Sequence, residues 1–89
     1  MPEVLNSLTS EQVRAARALL RWEQRQLADA SGISLPSIKR LEAKPGSLAA
    51  QQRTVAAIMS ALEAAGIQFL ADGEVLSGGP GVRLRQTTS

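Results

Sequence analysis

Apolar residues recur at helical spacing through most of the chain, then switch to alternation near its end. Thr9-Ser10-Glu11-Gln12 has the form of a capping box, in which Thr9 accepts from the Gln12 N–H and the Gln12 side chain reaches back. It predicts a helix from Ser10 to Trp22, with Val13, Ala16, Arg17 and Leu20 on its inward stripe. Arg17 puts a charge on that apolar stripe and requires a partner. A second, short helix fits Gln24 to Ser31, with Leu27 and Ala28 inward. Gly32 stops it, because glycine adopts the left-handed conformation that other residues resist. Ile33 follows as an apolar plug, and Ser34 caps a third helix from Leu35 to Ala43. Pro36 is tolerated there because it falls in the first turn, and Ile38 and Leu41 face inward.

Lys44-Pro45-Gly46-Ser47 breaks the pattern and predicts a loop. A fourth helix, Ala50 to Ala65, carries Val55, Ile58, Met59 and Leu62 on one side and ends at Gly66. Beyond it the period becomes two. Ile67 to Leu70 and Val82 to Arg85 alternate apolar and polar, as strands do, around turn material at Asp72-Gly73 and from Ser77 to Gly81. The expected organisation is a flexible arm (1–8), a helical domain (9–66), a β-hairpin (67–85) and a frayed tail (86–89). The fold class is mainly α, with four to five helices and a C-terminal hairpin.

The inventory then narrows the chemistry. The 89 residues include no Cys, His or Tyr. That removes disulfides, thiol nucleophiles and thiolate zinc sites, along with the usual neutral-pH proton carriers. Asp29, Glu42 and Glu63 form no ligand cluster, and Gly78, Gly79 and Gly81 lack the Lys-Ser/Thr of a phosphate loop. Neither a cofactor nor a metal is expected, and the chain reads as non-enzymatic. No apolar run approaches the roughly 20 residues of a membrane span, and Met1-Pro2-Glu3 lacks the basic start of a secretory signal. A cytoplasmic location is the expectation.

The net charge of +2 conceals an asymmetry. From Arg14 to Arg53, eight basic side chains face three acidic ones, a net of +5, while the remainder has two against five, or −3. A basic middle beside an acidic remainder points to a polyanion-facing surface. The same middle contains Ala28, Gly32 and Ile38, framed by Leu27, Ile33 and Leu41. Two helices crossing at about 90–120° through a short turn need a small residue at the crossing, a Gly at the turn and a shared apolar core.

Those residues, with Arg14 to Leu20, Gln24, Ser34, Lys39-Arg40, Glu42 and the stretch Thr54-Val55 to Ala61-Leu62, resemble the Cro and phage-repressor-like (XRE-family) helix-turn-helix regulators. The resemblance covers more than half the chain, from Val13 to Leu62, and implies a lambda-repressor-like domain that binds double-stranded DNA. It implies that the helix from Leu35 enters the major groove, with Leu35, Pro36, Ser37, Lys39 and Arg40 toward base edges. Gln24 and Arg53 match positions close to the DNA backbone, and Arg25, Ser34 and Lys44 are further phosphate candidates. Arg17 and Glu42 match a structural ion pair, which agrees with the need for a partner on the first helix. Glu23 departs from the pattern at an N-cap where Ser, Thr or Asn is stronger. Pro36 departs from it by replacing a polar side chain. Trp22 is expected to pack at the end of the first helix.

A lone two-stranded hairpin is marginal in water, so Ile67, Phe69, Val82 and Leu84 are expected to pair with a second copy. Two-fold symmetry would then set recognition helices about 34–36 Å apart on a pseudo-palindromic operator. The function expected is repression by a homodimer. The alternative is an antitoxin-type or antiactivator protein whose helix-turn-helix scaffold or hairpin holds a protein partner.

Overall fold

The computed structural model describes residues 8–70 and 79–85. Its described part is mainly helical: α1 (Ser10–Leu20), α2 (Gln24–Ser31), α3 (Leu35–Ala43) and α4 (Gln52–Ala64) precede an antiparallel pair, β1 (Ile67–Leu70) and β2 (Gly81–Leu84). Val13, Ala16, Leu27, Ile38, Leu41, Val55, Ile58 and Leu62 form the core, as the helical spacing predicts. Glycine ends α2 and follows α4 with positive φ, 77° at Gly32 and 110° at Gly66.

The capping box at Thr9 forms, with the Gln12 N–H donating to Thr9 Oγ1 and the Thr9 N–H to Gln12 Oε1, both at 3.0 Å. The first helix ends two residues earlier than its pattern predicts. Arg21 adopts the left-handed conformation (φ 58°, ψ 41°). The Trp22 N–H donates to the Arg17 carbonyl at 2.9 Å, and the Arg21 N–H to that of Ala18 at 3.1 Å. This is a Schellman end in which Arg holds the place usual for Gly, and Trp22 packs against the core beyond it. The fourth helix starts at Gln52 because Gln51 is still extended (φ −66°, ψ 154°).

Leu8 corrects the boundary of the expected arm. It is fully buried and its carbonyl accepts from the Leu48 N–H at 3.0 Å. Thr9 pairs with Ser47, and the Ser10 N–H donates to Gly46 at 2.9 Å. Glu11 adds to this seam by accepting from the Gly46 N–H at 3.2 Å. Its own backbone N–H in the first turn of α1, and then that of Gly46, hold the Glu11 carboxyl below its ordinary range. The rest of the arm and the tail lie outside the described residues, as does the expected turn at Asp72-Gly73.

The strands pair in the register Ile67↔Leu84 and Phe69↔Val82, so β2 begins one residue before the predicted Val82. Arg85 still donates its N–H to the Gly66 carbonyl, and its Nη2 reaches the Glu63 carbonyl at the end of α4. On the outer face Arg83 Nε donates to Gln68 Oε1 at 3.0 Å. The inner face belongs to the domain itself: Ile67 is in the core, and Phe69 and Val82 pack against it. Gln12 secures this docking, since its Nε2 donates to the carbonyls of Leu70 (3.2 Å) and Gly81 (2.9 Å).

Candidate nucleic-acid interface

The turn between α2 and α3 is built as its residues require. The Gly32 N–H closes α2 on the Ala28 carbonyl at 2.9 Å, and Ile33 drops against the core. Ser34 Oγ accepts from the Ser37 N–H at 3.3 Å and caps α3, with Pro36 in its first turn. Ile38, Leu41 and Glu42 are buried, which fixes the rotation of α3 and leaves Pro36, Lys39, Arg40 and Ala43 exposed.

That rotation sorts the expected contacts. Leu35 is half-buried and packs against the core, so it does not belong to the outward set. The reason is geometric: it shares a face with Ile38 and Glu42, three and seven residues on. Ser37 sits at the flank with its hydroxyl 2.9 Å from Ser34 Oγ. Lys39 and Arg40 are exposed and form no salt bridge among the described residues. Arg40 also borders an open groove of about 710 Å³, shared with Ser34, Ser37 and, from the loop and first turn of α4, Ala49, Gln51 and Thr54. Gln51 supplies no side-chain cap to α4, so the first N–H groups of that helix carry its positive dipole end without a side-chain acceptor. Arg53, Arg25 and Lys44 are all exposed.

Arg17 and Glu42 come together as expected. Arg17 Nε donates to Glu42 Oε2 at 2.7 Å and Nη2 to Oε1 at 2.6 Å, while Nη1 donates to the Trp22 carbonyl at 2.9 Å. This two-pronged geometry is the strong form of an Arg–carboxylate contact. Gln24 joins it, donating from Nε2 to Glu42 Oε1 at 3.0 Å. One hydrogen of the Gln24 amide is thereby committed inside the domain, a use its place at the start of α2 did not announce.

The hairpin set divides. Ile67 is buried in its own protomer's core and is unavailable to a second copy; Phe69 and Val82 are half-buried against the same core, and Leu84 alone is largely exposed. The alternating pattern correctly marks an apolar face, but α1 and α4 already cover most of it.

Gln12 was legible only as a capping residue. Its second use, on two carbonyls some 60–70 residues away in sequence, leaves no local signal. Ala43 is likewise exposed on the α3 face without being singled out by its chemistry. Among the described residues no group of acidic side chains could hold a metal, and no helix is long and apolar enough to cross a membrane. No protein-family model matches the chain, and no curated protein matches it.

Proposed function

We propose that this chain is a sequence-specific regulator of transcription that binds double-stranded DNA through α3, a repressor acting as a cytoplasmic homodimer on a pseudo-palindromic operator. The observation that carries the reading is the exposed face of α3. A short helix, set at a glycine turn against α2, presents Pro36, Lys39 and Arg40 to solvent, and its one carboxylate is buried. An α-helix of this kind fits the major groove. The open N-terminus of α4, whose Gln51 and Thr54 line the groove with Arg40, and the exposed Arg53 in its first turn suit a neighbouring phosphate. Arg25 and Lys44 are further exposed cations for phosphates, and Gln24 keeps one amide hydrogen to donate to the DNA backbone.

Repression by occluding the promoter is the simplest mechanism for a surface that only grips DNA. The resemblance to Cro and phage-repressor-like regulators gives the same reading. Dimerisation would use the exposed Leu84, because Ile67 is already occupied.

A salt titration of DNA binding tests the proposal. Affinity should fall steeply with salt, by about one unit of log–log slope for each phosphate contact. Arg40→Ala should relax sequence preference, and Arg53→Ala should weaken binding to all sequences alike. If neither substitution changes DNA retention, the surface is wrongly assigned.

A further inference from the structure

Resting on the DNA-binding reading, we propose that the centre of the exposed face of α3 selects guanine and thymine over adenine and cytosine. The basis is a reading face that offers donors and apolar groups but no central acceptor. With Leu35, Ile38, Leu41 and Glu42 turned toward the core, Pro36, Arg40 and Ala43 occupy the middle of the opposite face and Lys39 one flank. Arg and Lys only donate hydrogen bonds. Pro36 and Ala43 present nothing but hydrocarbon. Glu42, the single carboxylate of α3, is buried and accepts from Arg17 and Gln24. Ser34 and Ser37 lie at the other flank, bonded to each other beside the groove that leads to α4.

The base edges sort themselves against this face. Guanine presents two acceptors, O6 and N7, which a guanidinium fits; thymine presents O4 and a methyl group. Adenine presents a donor beside an acceptor and is matched by Asn or Gln, neither of which occurs in α3. Cytosine presents a donor that calls for a free carboxylate. Pro36 and Arg40 stand one turn apart, about 5–6 Å between Cβ atoms, which spans one to two base-pair steps of about 3.4 Å. Each half-site should therefore hold a guanine under Arg40 with a thymine methyl within two steps of it, against Pro36.

The test selects bound duplexes from a random pool with the full chain, then exchanges single atoms in the selected site. Replacing N7 of the central guanine by carbon should weaken binding about fivefold or more. Deoxyuridine for the neighbouring thymine, which removes one methyl, should weaken it about fourfold. The same N7-to-carbon change in any adenine should have no effect beyond twofold. Arg40→Ala should weaken binding to the selected site and lose the distinction between guanine and its analogue. A site in which the adenine change costs more than the guanine change overturns the proposal. So does retention of DNA with no sequence enriched, which leaves DNA binding intact. Absence of retention even at about 50 mM salt overturns the DNA-binding reading, and this proposal with it.

Discussion

Replacing Glu42 by alanine should be among the most damaging single changes to this fold. The substitution removes three accepted hydrogen bonds, two from Arg17 and one from Gln24. Arg17 keeps only its contact with the Trp22 carbonyl. The Glu42 side chain is 4% exposed and that of Arg17 18%, so the stranded guanidinium recovers little water. Breaking a buried pair from one side costs about 3–5 kcal/mol. The partial exposure of Arg17 places this case near the lower end, about 3 kcal/mol. A small domain has about 5–15 kcal/mol in total, so the loss is a large share. Urea unfolding of the full chain measures it: at about 1 kcal/mol per molar for a protein of this size, the midpoint should fall by roughly 2–3 M. Combining Arg17→Met with Glu42→Leu should restore at least half of the loss, since two apolar groups replace the pair without stranding a charge. A Glu42→Ala variant that loses less than about 1 kcal/mol would behave as an exposed pair does, and would refute the reasoning.

Gln12→Ala should cost about 1–3 kcal/mol by stranding the Leu70 and Gly81 carbonyls and the Thr9 N–H; amide exchange should accelerate in β1 and β2 more than in α3, and uniform acceleration would count against the docking role. Arg21→Gly should stabilise the fold by about 1 kcal/mol, because the left-handed conformation at φ 58° is free of penalty for glycine, with the thermal midpoint as readout. Glu11 has a folded pKa below its unfolded value, so its contribution is present above the unfolded value, about 4.3, and is lost as pH falls through the lower folded one. Glu11→Gln should flatten the acid limb of the stability curve, and an NMR titration of Glu11 should give a midpoint below that of an ordinary glutamate.

Local patterns were readable where a local rule decides them. Gly32, Ser34 and the Thr9–Gln12 box set the ends of three helices within the sequence, and α2 and α3 begin and end where those residues predict. α1 ends at Leu20 rather than Trp22 because an arginine takes the left-handed position usual for glycine, and Arg17 then holds the Trp22 carbonyl, a contact with no local signature. Leu8 gave no periodic signal, being a single apolar residue whose partner, Leu48, lies 40 positions on. The same limit applies to the hairpin. Alternation identifies which residues share a face but not what covers it, and here the domain's own helices do so ahead of any second copy. On α3, the inward assignment of Leu35 follows from rotation about the helix axis, which the burial of Glu42 fixes and which its charge conceals in sequence.

Glu42 thereby joins stability to recognition. A carboxylate near the end of α3 could in principle have pointed into solvent, where it would repel phosphate and offer an acceptor to cytosine. Drawn inward by Arg17 and Gln24, it ties α3 to α1 and α2 through one side chain. The exposed face is left with cations and hydrocarbon. Arg17 is the counter-charge that lets the carboxylate be buried, and burial removes the negative charge from the surface proposed to meet a polyanion. With Arg17 and Glu42 paired inside, seven basic and two acidic side chains of the stretch from Arg14 to Arg53 remain outside the pair, so the net +5 of the stretch stays at its surface.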